Sequence, residues 1–136
     1  MTDNFLITWL PKYSVNIEAI DKQHLVLVGL IRQLQEAMQE GRGRAFQHQL
    51  IDRLVAYTNQ HFRFEEELMS KHGFELLAEH IEQHRVLTNQ VSELHQKIQS
   101  HEVISNASIM LFLRNWLTDH IMQHDQKYAQ VCNPAG

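Results

Sequence analysis

Cysteine is nearly absent from this chain, and that absence excludes a good deal. A single cysteine, Cys132, stands among 136 residues. An intramolecular disulfide and a cysteine-based zinc or iron–sulfur site are therefore excluded. A basic surplus is missing too. Twelve lysines and arginines face sixteen aspartates and glutamates, for a formal charge of −4. Nothing here neutralises a phosphate backbone, so nucleic acid is not the expected partner. The longest apolar stretch, Leu25-Val26-Leu27-Val28-Gly29-Leu30-Ile31, falls far short of the ~20 residues that a membrane span needs. The opening residues carry no basic leader followed by an apolar run. With the lone thiol, this predicts no signal peptide and a reduced, cytoplasmic setting. Hydrophobic residues make up 43% and charged residues 21%. That balance excludes collagen-like and disordered chains and predicts one globular domain over residues 1–136. Histidine is what the chain has in excess: ten, against five glycines.

The hydrophobic pattern predicts an all-α fold. Residues 1–18 read as an extended N-terminal arm, with Pro11 blocking a helix and Trp9, Tyr13, Val15 and Ile17 loosely alternating. Helical periodicity then predicts four helices, at about 18–40, 44–70, 74–99 and 105–130. The first buries Ile20, His24, Leu27, Ile31, Leu34 and Met38 at three- and four-residue steps. It stops at Gly41-Arg42-Gly43. Leu50, Leu54, Tyr57, His61, Phe64, Glu65 and Leu68 share a face of the second. The third carries Leu77, His80, Ile81, His84, Leu87, Val91, Leu94 and Ile98. Ile109, Leu113, Trp116, Leu117, His120, Ile121, His124 and Tyr128 belong to the fourth. Short connections between helices of ~30 Å predict an antiparallel up-down-up-down four-helix bundle.

Polar groups interrupt these inner stripes. Burying one imidazole without a partner costs ~1–3 kcal/mol, and an unpaired carboxylate costs more. Several together would threaten a domain whose whole stability is ~5–15 kcal/mol. Their spacing supplies an answer. Residues i and i+4 differ by only ~40° around a helix. His61-Phe62-Arg63-Phe64-Glu65 therefore aligns an imidazole with a carboxylate, and His80-Ile81-Glu82-Gln83-His84 aligns two imidazoles. His24 contributes from the first helix, and His120 and Asp125 from the fourth. Five imidazoles and two carboxylates exceed the needs of one tetrahedral zinc. They match two metal ions bridged by the carboxylates, a kind of site that bundle cores hold. Charge favours iron. Two divalent ions offset by Glu65, Asp125 and a bridging hydroxide leave a small positive charge. Two-electron oxidation with uptake of a hydroperoxide anion, the bridge becoming oxide, leaves it unchanged. One spacing resists. Asp125 lies ~140° from His120 on an ideal helix, and His124 is better placed unless a one-residue bulge intervenes.

Four elements together resemble the hemerythrin family, most closely its single-domain bacterial form, over nearly the whole chain. They are Trp9…Tyr13…Ile17…Ile20-Asp21-Lys22-Gln23-His24, then His61-Phe62-Arg63-Phe64-Glu65-Glu66-Glu67-Leu68-Met69, then His80-Ile81-Glu82-Gln83-His84, then Trp116 to Tyr128 with His120 and Asp125. The resemblance implies a non-haem di-iron site that binds O₂ reversibly. His80, His84 and His120 would hold one iron. His24 and His61 would hold the other, which keeps a position open for O₂, and Glu65 and Asp125 would bridge the pair. It decides the fourth-helix alternative for Asp125. The resemblance also implies an oxo or hydroxo bridge between irons that cycle between Fe²⁺ and Fe³⁺. Leu27, Phe62, Trp116, Leu117 and Ile121 are the expected wall of a dry O₂ pocket.

The function so implied is oxygen binding rather than catalysis, for transport, storage or delivery to an oxygen-consuming enzyme. The alternatives are a di-iron enzyme or sensor acting on peroxide or nitric oxide, or iron storage. Oligomeric state is not legible. Against the family pattern, Gly73-Phe74 replaces a common Tyr-Pro, Leu87 a frequent Phe, and Gly29 a usual Asn, and every ligand stays in place. His48, His72, His95 and His101 are expected to be solvated, as are Glu66 and Glu67. His124 is expected to be a bystander, Gly29 a close-packing position, and Cys132 an incidental thiol.

Overall fold

A computed structural model describes residues 7–41, 44–100, 106–119 and 124–132. Among these there is no strand. The order is a 3₁₀ turn at Pro11–Tyr13, then α1 (Glu18–Gln39), α2 (Arg44–Lys71), α3 (Leu77–Gln99), α4 (Asn106–Asp119) and α5 (Gln126–Cys132). Helix α1 packs on α2 and α4, α2 on α3, and α5 returns to α2. The fold is a four-helix bundle, with α4 and α5 supplying the fourth limb on either side of residues 120–123. No helix among the described residues is long and apolar enough to cross a membrane.

The arm is fixed by polar contacts that its short alternation does not reveal. Ile7, Tyr13, Val15 and Ile17 are buried. Asp21, in the first turn of α1, accepts from Ser14 Oγ at 2.6 Å and from the Val15 N–H at 2.9 Å. These bonds hold the reversal at Asn16, whose φ of 59° lies in the left-handed region. Gln126 Nε2 donates to the Ser14 carbonyl at 3.2 Å, tying the arm to α5. At the other end of the arm, the fully buried Gln35 accepts from the Ile7 N–H at 2.9 Å and donates to the Met110 carbonyl at 3.0 Å. One amide thus joins the arm, α1 and α4. Gln35→Leu strands the Ile7 donor away from water. The expected cost is about 2 kcal/mol, measured by urea unfolding of the metal-free chain.

Several expectations need correction. The third helix begins at Leu77, not 74. Gly73, at φ 66°, turns the chain, and the Phe74 N–H caps the Met69 carbonyl at 3.0 Å. Phe74 then buries against the edge of Tyr128, with ring centroids 6.4 Å apart. The fourth helix, expected as one piece over 105–130, comprises α4 and α5 among the described residues. Phe64 and Ile81, assigned to the inner stripes, are 38% and 41% exposed. Each is the flank neighbour of an inward residue, and the flank faces water. Gly29 is not required for close packing: a Cβ there would meet nothing within 4 Å. Gly29→Ala is therefore expected to raise stability by about 0.5–1 kcal/mol, read as a higher urea midpoint.

Candidate metal centre

Helix periodicity brings the inward polar groups to one level of the bundle. His24, His61, Glu65, His80, His84 and Asp125 are all 2% exposed or less. His61 and Glu65 sit one turn apart on α2, with Nε2 3.2 Å from Oε1. His80 and His84 are one turn apart on α3, their rings edge to face at 4.5 Å. His24, from α1, meets His61 at 4.7 Å between centroids.

Both carboxylates span the whole cluster. Glu65 Oε1 lies 3.2 Å from His61 Nε2 and 3.1 Å from His84 Nε2, while its Oε2 lies 3.7 Å from His24 Nε2. Asp125 Oδ2 lies 2.8 Å from His24 Nε2, and its Oδ1 lies 3.2 Å from His80 Nε2. The donor atoms fall into two groups, each within 4.8 Å mutually. One is His24, His61, Glu65 and Asp125, and the other is Glu65, His80, His84 and Asp125. Glu65 and Asp125 belong to both. Asp125 reaches this position because His124 and Asp125 stand in π-helical backbone ahead of α5. A wide turn of this kind shifts the register by about one residue. His124 is half-buried to one side, its ring 6.4 Å from that of His80, and joins neither group. His120 lies outside the described residues.

The ring nitrogens facing away from the cluster are also engaged. His84 Nδ1–H donates to Glu66 Oε2 at 2.7 Å, and His61 Nδ1–H donates to Gln23 Oε1 at 2.6 Å. Both bonds leave the Nε2 lone pair aimed inward, as a metal ligand requires. The Tyr128 hydroxyl donates a short hydrogen bond to Glu65 Oε2. Burial alone would lower the His24 pKa. Asp125 and Glu65 outweigh it and raise the value from 6.5 to about 9. In the metal-free chain, a proton on His24 thus supplies positive charge between two buried carboxylates.

Leu27, Phe62, Trp116 and Leu117 are buried in one hydrophobic core cluster. Phe62 stacks on His84 with centroids 3.8 Å apart and planes 3° from parallel. Trp116 Nε1 donates to the Leu87 carbonyl at 3.1 Å, which fixes the indole. Ile121 lies outside the described residues, as does His101. His72 is exposed, as expected. His48 and His95 are not solvated: they are half-buried, edge to face at 6.4 Å, and His95 Nε2 lies 2.8 Å from Asp52 Oδ1. Glu66 was expected to face water and instead bonds His84, whereas Glu67 is exposed. Sequence reasoning gave Gln23 and Glu66 no role of their own. The only signal was that each adjoins a buried ligand candidate in the chain.

The fold and its core define a helical-bundle protein with a donor set suited to a pair of transition-metal cations. Imidazole nitrogens suit iron, and shared carboxylates bring the negative charge that two such ions need. Comparison with known proteins agrees. Residues 15–132 match the hemerythrin HHE cation binding domain. A bacteriohemerythrin of Stenotrophomonas maltophilia is 36% identical over 91% of this chain and 80% of its own length. One from Methylococcus capsulatus is 30% identical over 91% of this chain and 95% of its own. A crystal structure of wild-type hemerythrin superposes with a TM-score of 0.85 at 28% identity, covering 94% of this chain and 98% of the other. The chain belongs to the hemerythrin family.

Proposed function

We propose that this chain binds O₂ reversibly at a non-haem pair of iron ions, and that it carries, stores or delivers oxygen. The observation that supports this most is the pair of donor groups sharing both Glu65 and Asp125. In this reading His80, His84 and, by the family likeness alone, His120 would hold one iron, and His24 and His61 would hold the other. Glu65 and Asp125, which belong to both donor groups, would be shared between the two. The second position would have fewer protein ligands and so leave room for a small molecule. The iron pair, when bound, supplies two electrons reversibly to O₂.

The rest of the work belongs to the chain. Its Nδ1–H bonds to Gln23 and Glu66 hold His61 and His84 with Nε2 inward. The stack on Phe62 limits rotation of His84. Leu27, Phe62, Trp116 and Leu117, and by the family likeness Ile121, would supply the apolar wall that keeps water from the open position. A dry wall favours reversible binding because water and protons promote loss of the oxygenated state. The test is anaerobic reduction of the iron-loaded protein followed by repeated addition and removal of O₂. Oxygenated and deoxygenated spectra should alternate over many cycles. One-way oxidation on first contact would overturn the proposal.

A further inference from the structure

The partners behind His61 and His84 differ in charge. His84 Nδ1–H donates to the Glu66 carboxylate at 2.7 Å, and His61 Nδ1–H donates to the Gln23 amide at 2.6 Å. An ionised carboxylate can only accept, so this contact fixes the His84 tautomer outright. A charge-assisted hydrogen bond is about twice as strong as a neutral one. It draws the Nδ1 proton outward and makes Nε2 the better donor. The Glu66 carboxylate keeps contact with water. Its side chain is 29% exposed and opens onto a cleft of about 340 Å³ between α2 and α3, where Arg63 and Arg85 also line the wall. Gln23 carries no charge at any pH. Its half-buried amide holds His61 in place without enriching it.

We propose that Glu66 is a positioning residue that makes the two metal positions unequal. It strengthens His84 as a ligand and so strengthens the position at His80 and His84 relative to the one at His24 and His61. This rests on the two-iron reading above. The device serves that reading: the electron-rich side holds its metal firmly, and the other side is left for the exchangeable ligand. Glu66 touches neither metal nor O₂ and acts only through the imidazole.

The test compares wild type with Glu66→Gln, Glu66→Ala and Gln23→Glu, each loaded with ferrous iron without air. Iron release to a ferrous chelator is followed as two phases, and metal-free thermal unfolding serves as the control for folding. Glu66→Gln keeps an acceptor oxygen and the shape but loses the charge. It is expected to speed release of one iron about tenfold and leave the other unchanged. Gln23→Glu is expected to slow release of the other iron. A purely structural Glu66 predicts wild-type release for Glu66→Gln and faster release only for Glu66→Ala, and that result overturns the proposal. A wild-type chain that takes up fewer than two irons overturns the reading beneath it as well. The two failures are told apart by metal content before the chelator is added.

Discussion

Glu65→Ala is expected to empty both metal positions at once, although it removes one side chain. Its carboxylate lies within 3.7 Å of three imidazoles drawn from α1, α2 and α3, and it belongs to both donor groups. Loss of a residue that merely orients a ligand already costs ~10–100-fold in metal affinity. Loss of a shared ligand should exceed that at each position, so purified Glu65→Ala should retain less than one iron per chain. His61→Ala makes the contrast, because His61 belongs to one group only. It should weaken one position and leave the other able to hold metal. Metal analysis after desalting distinguishes the two patterns. A Glu65→Ala protein with two irons and an unaltered absorption spectrum would remove Glu65 from the centre.

The second large effect concerns pH and the metal-free chain. His24 is raised from 6.5 to about 9 by Asp125 and Glu65, against the opposing pull of its burial. A pKa raised on folding stabilises the protonated folded state. That contribution is fully present below pH 6.5 and disappears as pH rises through about 9. A shift from 6.5 to about 9 amounts to a loss of on the order of 3 kcal/mol across that window. Urea midpoints of the metal-free protein should therefore fall between pH 6.5 and pH 9.5, and His24→Leu should flatten the decline. A metal ion must displace the same proton, so metal uptake near neutral pH should release protons and strengthen as pH rises. A flat stability profile for the metal-free wild type would contradict this account of His24.

Much of the bundle is legible in the sequence because helical periodicity is a strong signal where one face is buried. Ile20, Leu27, Ile31, Leu34 and Met38 recur at helical steps, and all five are buried on α1. The same periodicity exposes the core polar groups, since His24, His61, Glu65, His80 and His84 occupy positions where aliphatic residues belong. It is weaker at the edges of a stripe. Phe64 and Ile81 adjoin inward residues and are apolar, yet they face water, because apolar character does not mark which side of the stripe is covered. Asp125 illustrates a different limit. On an ideal helix it points away from the face of His120, and only the family likeness favoured it over His124. The π-helical turn at residues 124–125 is a backbone irregularity with no simple side-chain signature. Gln23 and Glu66 were illegible as outer partners for a third reason. Their role depends on the distance between helices, so that two polar residues of ordinary appearance become hydrogen-bond acceptors only when α1 meets α2 and α2 meets α3.

On the proposed reading, Glu65 and Asp125 hold two ions between them. It is tested most directly by iron content measured against protein concentration on chain reconstituted without air and freed of excess metal. Two irons per chain are expected. One iron per chain, or none, would contradict it.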